Sequence, residues 1–329
     1  MTEILPIDEN SLVRAKNIIM NGGAVAFPTE TVYGLGADAF NTEAVDGIFR
    51  IKGRPNDNPL IVHVHKDYDI STLVENIPPY AVKLAEKFLP GPLTMVYNSK
   101  GKVSASVSCG LNTLAIRIPS HKGAQEFLKH MNLPIAAPSA NISKHVSPTS
   151  ANHVFADLNG KIELILDGGS CSGGIESTVL DCTGEIPVIL RSGLVTREMI
   201  EEVAGVCGEH SYKEGGEVRS PGMKYKHYSP ACKTALFGCN DLQSALKLYD
   251  SEIQNGVKTC ILCEESVIEL LEGRNYLNLG ASPEEMAANL YAALREGELR
   301  AQLLIAISPR ESGGIMSGVM NRLTKSCGN

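Results

Sequence analysis

The sequence predicts an α/β protein in two domains. Short apolar runs alternate with helical patterns along the chain, which is typical of sheets covered by helices. The length of 329 residues suits about two domains at roughly 100 to 200 residues each. Some predicted strands follow one another too closely for a helical crossover, so we expect a mixed sheet.

The first domain is predicted over residues 1–206. Its first helix should begin near Asp8 to Ser11 and end at residues 21–23 (NGG), because apolar residues recur on one face between these points. A second helix should follow Thr42. Other helices are expected at 78–88, 122–131, 149–157 and 196–204, and strands at 24–27, 60–64, 93–97, 114–118, 162–166, 178–181 and 188–190.

Residues 207–231 interrupt this alternation with few apolar anchors, and they are predicted to be a linker. Residues 232–329 then form a small α/β domain. Strands are expected at 234–237, 258–263, 276–279 and 303–307, and helices at 241–253, 283–296 and 314–325. The helix at 283 has the strongest start, since Ser282 can cap it and Glu285 can complete a capping box.

Composition excludes several classes of protein. The 30 Lys+Arg against 37 Asp+Glu give a net charge of −7, so strong direct nucleic-acid binding is not expected. No apolar run approaches the roughly 18 residues that span a bilayer, and a signal peptide is not evident, which favours a cytoplasmic location without membrane contact. The nine cysteines are then reduced thiols. Cys260 and Cys263 form a C-x-x-C that could be a redox pair or half a zinc site, although the apolar surroundings favour buried strand residues.

A polar segment, residues 28–36 (PTETVYGLG), directly follows the first predicted strand. Open α/β sheets place ligand crevices at strand ends. The hydroxyls and two glycines of this segment could let a ligand approach the backbone closely. A tight turn with capping threonines explains the same pattern, and both interpretations stay open.

Lys52 and Arg54 bracket a glycine after the second helix. They could simply complement the helix dipole. The Pro-rich turn that follows makes helical continuation unfavourable, so both side chains should project into one crevice. The compact ammonium of Lys52 beside the planar guanidinium of Arg54 suits a polyphosphate. The sequence lacks G-x-x-x-x-G-K-[ST], which excludes a Walker-type phosphate loop. His63 lies on the next strand, a position more typical of a partly buried histidine with its hydrogen bonds made than of a catalytic base.

Small residues lead to Ser139 and Asn141 in a pattern that resembles an anion-binding turn. A serine nucleophile is the weaker alternative, because the sequence lacks a G-x-S-x-G elbow and a nearby His/Asp pair. Arg117 and Arg191 lie in apolar strands and need anionic partners there. The structural alternative is a salt bridge to one of three acidic residues: Glu30, Glu176 or Asp181. With Lys52 and Arg54, these arginines would instead make a cationic cavity for a small polyanion.

Five segments together resemble the YrdC-like domain family, and more narrowly its two-domain threonylcarbamoyl-AMP synthases. They are residues 28–36, 52–54 (KGR), 138–141 (PSAN), 174–178 (GIEST) and 220–230 (SPGMKYKHYSP). The resemblance implies a YrdC-like domain with a twisted mixed open sheet flanked by helices, followed by a small Rossmann-like α/β domain. One departure is Ser192, where the family more usually has proline.

The implied activity is that of a nucleotidyltransferase. Such enzymes join L-threonine, bicarbonate and ATP into L-threonylcarbamoyladenylate and release pyrophosphate. A downstream tRNA threonylcarbamoyl transferase complex then modifies adenosine 37 of tRNA. Mg²⁺ is expected to arrive with ATP and to take no ligand from protein side chains.

The resemblance also implies site residues, with Lys52 and Arg54 as the catalytic pair. The ATP-binding positions are Lys52, Arg54, Asn58, Thr113, Ser139, Asn141, Ser147, Arg191 and Tyr228. The threonine-binding positions are Thr29, Thr31, His63, Arg117, Ala137 and Ser177. The lid over the cavity would comprise Lys224, Tyr225, His227 and Tyr228.

Two other functions stay open at this point. The first is an RNA-binding module that uses the same cavity, which the negative charge and the lack of aromatic stacking motifs disfavour. The second is a carbamoyltransferase-type activity that forms a carbamoyl adenylate, but the lone C-x-x-C cannot supply the zinc fingers of those proteins. The role of the second domain, the oligomeric state, the bicarbonate position and the choice between Thr29 and Thr31 are not predicted.

Overall fold

The structure is a computed structural model that describes residues 1–209 and 228–328. Within these residues the helices are α1 (Glu9–Met20), α2 (Thr42–Lys52), α3 (Pro79–Phe88), α4 (Ala105–Ser108), α5 (Lys122–Met131), α6 (Ala151–Leu158), α7 (Arg197–Ala204), α8 (Leu242–Gln254), α9 (Pro283–Arg300) and α10 (Gly314–Cys327). None of them is long and apolar enough to cross a membrane.

The strands among the described residues belong to two sheets. The first contains β1 (Glu3–Pro6), β2 (Val25–Phe27), β3 (Gly34–Asp38), β4 (Ile61–His63), β5 (Val74–Glu75), β6 (Leu93–Ser99), β7 (Thr113–Arg117), β8 (Ile135–Ala137), β9 (Leu164–Asp167), β10 (Thr178–Asp181), β11 (Val188–Arg191) and β12 (Gly208–Glu209). The second contains β13 (Lys233–Phe237), β14 (Thr259–Cys263), β15 (Tyr276–Asn278) and β16 (Leu303–Ile307).

The first sheet is mixed, as the short strand-to-strand connections predict. Its order is β1-β9-β2-β3-β8-β4-β7-β6-β10-β11-β12, and β5 pairs with β6. Parallel pairs such as β4 with β7 alternate with antiparallel pairs such as β7 with β6. The main core covers one face and includes Leu35, Ile48, Leu84 and Leu180. A separate cluster around Phe27 and Phe127 packs α1 and α5 against the sheet, which gives helices on both faces.

The second sheet is parallel throughout, with the order β13-β16-β14-β15. Helix α8 lies against a cluster on one face, whereas α9 and α10 pack on the other. The predicted start of α9 is confirmed: Glu285 N donates to Ser282 Oγ at 3.2 Å, and Ser282 N donates to Glu285 Oε2 at 3.2 Å. Cys260 and Cys263 are buried and free in β14, which confirms the structural interpretation of the C-x-x-C.

Five strands of the first sheet, β1, β3, β5, β8 and β12, are absent from the predictions. In the polar segment 28–36, the residues from Gly34 onward belong to strand β3, which neither interpretation of that segment predicted. A Cβ on Gly36 would lie 2.6 Å from Ile135 Cγ2 and 2.9 Å from Phe27 Cε1, so this glycine serves packing between strands. Only Gly34 of the two glycines borders the candidate site. Strands of three to five residues rich in Gly and Ala give little periodic signal.

The linker predicted at 207–231 falls largely outside the described residues, and its bounds stay predictions. Within the described part, Gly208–Glu209 forms β12 beside β11 and extends the first sheet beyond residue 206. On the other side, Ser229 N donates to Lys144 O at 2.9 Å, which ties the chain leading to the second sheet back onto the first.

A buried ion pair joins the two parts of the chain. Arg295 on α9 donates from Nη1 to Asp157 Oδ1 at 3.2 Å and from Nη2 to Asp157 Oδ2 at 3.0 Å. The same Arg295 Nη2 also donates to Val146 O. Asp157 Oδ2 in turn accepts from Ile142 N at 3.1 Å, so the pair fixes the loop between β8 and α6.

Removing one member of this pair should destabilise the fold strongly. We expect Arg295→Met to lower the free energy of unfolding by about 3–5 kcal/mol, because Asp157 would remain buried without its cation. In the control, Arg274→Met, the Asp250 partner is 47% exposed in its side chain. That change should cost about 1 kcal/mol or less. Urea unfolding of both variants gives the two values, and equal losses would contradict this assignment.

Candidate functional site

The candidate site is a cavity on the face of the first sheet that is turned away from the main core. Side chains alternate along a strand, so Leu114 and Ile116 of β7 enter the core while Arg117 points to the opposite face. The same alternation places Ile61 and His63 of β4 beside it. The cavity is lined by Thr29, Val32, Gly34, Arg54, Ile61, His63, Arg117, Ala137, Pro138, Ser139, Asn141, His145, Ser147, Glu176, Arg191 and Tyr228.

Three arginines from distant parts of the chain meet in this cavity. Arg54 follows α2, Arg117 ends β7 and Arg191 ends β11. Most of the other residues implied for the site lie in the wall with them: Thr29, His63, Ala137, Ser139, Asn141, Ser147 and Tyr228. The implied residues outside the wall are Thr31, Lys52, Asn58, Thr113 and Ser177. Lys224, Tyr225 and His227 lie outside the described residues.

Lys52 was expected to share a crevice with Arg54, but it does not line the cavity. Its side chain is buried, and Nζ donates to the carbonyl oxygens of Ser139 and Asn141. Its own carbonyl oxygen accepts from Ser143 N at 2.9 Å. Burial, reinforced by the charge of Arg54, holds the pKa of Lys52 well below its ordinary value. Lys52 therefore supports the 138–143 loop from beneath.

The loop itself gathers polar groups at the end of β8. Ser139 Oγ donates to Asn141 Oδ1 at 2.5 Å, and Asn141 Nδ2 donates to Ile142 O at 2.8 Å and to His145 O at 2.9 Å. Among the described residues, the Ser139 hydroxyl has no hydrogen bond to a histidine; its partner is Asn141. The turn presents hydroxyl and amide groups to the cavity, as an anion-binding turn would.

Arg54 lies beside a buried amide that has no partner. Its Nη2 donates to Asn58 O at 2.8 Å. Burial lowers the pKa of Arg54 to about 10, so the guanidinium remains charged at neutral pH. Arg54 Nε and both side-chain polar atoms of Asn58 lack a hydrogen-bond partner among the described residues. A buried unpaired polar group costs about 1–3 kcal/mol, which makes a ligand polar group a favourable partner here.

Arg117 is anchored by two groups of the segment after β2. Its Nη2 donates to Glu30 Oε1 at 2.8 Å and to Thr31 Oγ1 at 2.7 Å. Glu30 is thus its ion-pair partner, as the structural alternative predicts, and Arg117 still faces the cavity. Thr29 lies in the cavity wall and Thr31 supports the arginine, so the two threonines have different positions.

His63 is held in one tautomer. Its Nδ1 lies 3.1 Å from Ile61 O, and a carbonyl oxygen can only accept, so Nδ1 carries the proton. Burial first, and then the charge of Arg117, lower the pKa of His63 to about 3. The imidazole is therefore neutral at physiological pH, and its Nε2 can accept a hydrogen bond from an amino or hydroxyl group.

This shift makes stability depend on pH. Between pH 6.5 and about 3 the unfolded chain binds a proton at His63 that the folded protein excludes, so this contribution is present above pH 6.5 and is lost as the pH falls. We expect wild type to lose about 1–2 kcal/mol more unfolding free energy than His63→Asn between about pH 6.5 and 5. Urea unfolding at both pH values measures this. Parallel losses in the two proteins would contradict a neutral His63.

Arg191 and Glu176 form the far wall. Arg191 donates from Nε and Nη2 to Ser177 O at 3.1 and 3.0 Å, which holds the guanidinium at the start of β10. Gly193 permits this packing, since a Cβ there would lie 2.4 Å from Thr178 N. Ser147 Oγ donates to Glu176 Oε1 at 2.7 Å.

Sequence reasoning missed the contribution of the second part of the chain to this wall. Glu176 was a candidate partner for Arg117 or Arg191. It interacts electrostatically with Arg191, and its carboxylate also accepts from Tyr291 on α9 and Arg322 on α10. Tyr228 stacks on Tyr291 with ring centroids 5.3 Å apart. Tyr291 and Arg322 lie in predicted helices and in none of the sequence motifs, so nothing local indicated that they contact the site. The charge of Arg322 on a buried helix face was the available signal.

The described residues contain no group of three or more His, Cys, Asp or Glu side chains that could hold a metal ion. Mg²⁺ commonly binds through substrate phosphates, several waters and one or two carboxylates. The arginine-rich cavity therefore suits a Mg²⁺ ion held mainly by nucleotide phosphates. This stays a proposal.

By its fold and its arginine-lined cavity, this chain is an α/β protein with a candidate anion-binding site on a mixed sheet. A family model described as "telomere recombination" matches residues 17–193, and a second, described as threonylcarbamoyl-AMP synthase, C-terminal domain, matches residues 195–328. The chain belongs to the threonylcarbamoyl-AMP synthase family.

Relatives match along the whole chain. The threonylcarbamoyl-AMP synthase of Pyrococcus abyssi is 41% identical over 98% of this chain and 95% of its own length, and that of Bacillus subtilis is 40% identical over 100% and 96%. The crystal structure of P. abyssi Sua5 complexed with L-threonine has a TM-score of 0.91 at 40% identity and covers 99% of this chain and 98% of that one. The structure of Escherichia coli YciO, at 23% identity and a TM-score of 0.54, supports the fold alone.

Proposed function

We propose that this protein synthesises L-threonylcarbamoyladenylate from L-threonine, bicarbonate and ATP and releases pyrophosphate. The observation that carries this proposal is the meeting of Arg54, Arg117 and Arg191 in one cavity, in a chain related over its full length to threonylcarbamoyl-AMP synthases. Both ATP and the threonine carboxylate are anionic, and the cavity supplies the matching charge.

The two ends of the cavity suit the two larger substrates. Threonine fits beside Arg117, which can pair with its carboxylate, and beside neutral His63, which can accept from its amine or hydroxyl. Thr29 and Ala137 would border its side chain. ATP fits beside Arg54 and Arg191, with the loop at Ser139, Asn141 and Ser147 around it. Bicarbonate would lie between them, where the threonine amine can reach it.

The reaction needs no covalent enzyme intermediate. The deprotonated amine of threonine attacks the carbon of bicarbonate, and loss of water leaves a carbamate. A carbamate oxygen then attacks the α-phosphorus of ATP, the bond to the β-phosphate oxygen breaks, and pyrophosphate leaves. The protein aligns the reactants and stabilises the developing charge, mainly through Arg54 and Arg191. Bound Mg²⁺ would neutralise phosphate charge.

The cellular setting is part of the same proposal. All nine cysteines are free, which suits a reducing compartment such as the cytoplasm. The adenylate is a mixed anhydride and hydrolyses readily in water. A tRNA threonylcarbamoyl transferase that consumes it is therefore the expected downstream partner. Lys224, Tyr225 and His227 remain predicted lid residues, with Tyr228 at the cavity wall.

Mass spectrometry tests the activity directly. The protein is incubated with ATP, Mg²⁺, L-threonine and ¹³C-bicarbonate, and the products are separated at once. We expect pyrophosphate and a labelled adenylate whose mass contains threonine, one labelled carbon and AMP. Carbamoyl phosphate in place of threonine and bicarbonate is the control for the carbamoyltransferase alternative. An adenylate formed only in that control would contradict the proposal.

A further inference from the structure

Thr94 lies in the middle of a row of residues that crosses the first sheet. The row runs His63, Arg117, Thr94, Val179 and Arg191, each paired in register with the next on the neighbouring strand. Residues paired in register present their side chains on the same face of a sheet. Three members of the row, His63, Arg117 and Arg191, line the cavity. The side chain of Thr94 therefore lies on the cavity face of the sheet.

The Thr94 hydroxyl is buried against Ser177. The two side-chain oxygens, Thr94 Oγ1 and Ser177 Oγ, lie 2.8 Å apart, and both residues are fully buried. Neither residue lines the cavity. Ser177 Oγ also accepts from Arg191 Nη2 at 3.2 Å, and Ser177 O accepts from Arg191 Nε and Nη2. Ser177 thus joins Thr94, beneath the cavity, to an arginine in its wall.

The direction of these hydrogen bonds follows from the chemistry of the guanidinium. A guanidinium can only donate, so Ser177 Oγ is the acceptor in its bond with Arg191. The proton of the Ser177 hydroxyl then needs a different acceptor, and Thr94 Oγ1 is placed to accept it. An unpaired hydroxyl at a fully buried position is costly. The arrangement that pairs both groups therefore runs from Arg191 to Ser177 and from Ser177 to Thr94.

Arg191 has other interactions besides those with Ser177. It interacts electrostatically with Glu176, Arg322 and Lys325. These charges act on Arg191 whether or not the Thr94 hydroxyl is present, so they are the same in wild type and in variants at Thr94. What the Thr94 hydroxyl changes is the orientation of the Ser177 hydroxyl, and with it the bond that Ser177 Oγ accepts from Arg191 Nη2.

We infer that Thr94 is a positioning residue: it holds the Ser177 hydroxyl in the orientation that accepts from Arg191, and so helps to fix the guanidinium at the nucleotide end of the cavity. The inference rests on the proposed function, in which Arg191 contacts the phosphates of ATP. A guanidinium that must be ordered on binding loses part of its binding free energy. Loss of the Thr94 hydroxyl should weaken ATP binding more than threonine binding, because the anchors of Arg117 lie in the segment after β2.

Substitutions that differ by one hydroxyl or one methyl group test the inference. Thr94→Val removes the hydroxyl at nearly constant volume, Thr94→Ser keeps it, and Ser177→Ala removes its partner. The double variant, Thr94→Val with Ser177→Ala, completes a cycle. Thr178→Val is the matched control: Thr178 is also fully buried, but it pairs with Leu93 of the main core, and its hydroxyl donates to Val195 O at 2.6 Å.

The kinetic readout is threonine-dependent pyrophosphate release, which gives kcat and the KM values of ATP and threonine. Calorimetry measures ATP binding, and urea unfolding measures stability. We expect Thr94→Val to raise the KM of ATP by about fivefold or more, with kcat and the KM of threonine within about twofold of wild type. Thr94→Ser should keep the KM of ATP within about twofold of wild type, because it retains the acceptor oxygen.

The cycle shows whether Thr94 acts through Ser177. In the Ser177→Ala background, Thr94→Val should raise the KM of ATP by less than about twofold, because the hydroxyl that it orients is already missing. The Thr178→Val control should lose stability but keep the wild-type KM of ATP. If Thr94→Val does not fold, Ser177→Ala carries the test, since it removes the same bond to Arg191 and should raise the KM of ATP by a similar factor.

Three results would overturn the inference. One is a folded Thr94→Val or Ser177→Ala protein with the wild-type KM of ATP. Another is an effect of Thr94→Val that is undiminished in the Ser177→Ala background. The third is a raised KM that Thr94→Ser also shows, that Thr178→Val shares or that extends equally to threonine, since each assigns the hydroxyl a purely structural role. Absence of threonine-dependent pyrophosphate release in wild type would instead contradict the proposed function, and calorimetry of ATP binding then tests the inference separately.

Discussion

Arg54→Met is expected to lower kcat/KM for ATP by about a hundredfold or more while the protein stays folded. Arg54 lines the cavity, and its guanidinium makes its direct hydrogen bond within the same turn, to Asn58 O. Its loss should therefore remove charge stabilisation at the phosphates more than it removes packing. The backbone carbonyl of Asn58 would lose its hydrogen bond from Arg54, and its side-chain amide already has no partner among the described residues.

The measurement is threonine-dependent pyrophosphate release over a range of ATP concentrations. The matched control is Arg50→Met, which changes an exposed arginine in the last turn of the same helix, α2. That control should keep wild-type kinetics. Comparable kinetics for Arg54→Met and the control would remove Arg54 from the mechanism.

Arg117→Met is expected to lower the free energy of unfolding by about 3–5 kcal/mol, as much as Arg295→Met. The change leaves Glu30 in a buried position with Ser120 N, at 3.0 Å from Oε2, as its remaining donor among the described contacts. The exposed pair of Arg14 with Glu3 provides the control, since Arg14→Met should cost about 1 kcal/mol or less. Urea unfolding compares the two variants.

A second substitution separates stability from substrate binding at this position. Glu30→Gln with Arg117→Met removes both buried charges and should recover much of the lost stability. Threonine use should stay impaired, because no guanidinium remains for its carboxylate. A double variant that regains both properties would show that Arg117 acts only as a structural partner of Glu30.

The fold was predictable where the pattern was long or capped. Helix α9 begins at its predicted cap, Ser282, because a capping box is local in sequence, and α1 begins within the predicted interval, after Asp8. Strands β3 and β8 were not predicted, since three to five small residues bury well without a period-two signal. Strand order depends on pairings between distant segments, which a local pattern does not contain.

The candidate site was predictable in its charges and less so in its geometry. Arg117 and Arg191 stood out as cations in apolar strands, and both line the cavity. Lys52 was expected beside them, but a buried ammonium can bind backbone carbonyls as well as phosphates, and sequence does not distinguish the two. Arg322 and Tyr291 contact Glu176 of the wall only because α9 and α10 pack against the first part of the chain.

A crystal structure with L-threonine and a non-hydrolysable ATP analogue is the most direct test of a shared anion site. We expect the triphosphate to contact Arg54 and Arg191, with the threonine carboxylate at Arg117 and its amine or hydroxyl at His63. A nucleotide bound elsewhere, such as the crevice near Glu264 and Arg310 in the second sheet, would contradict the assignment.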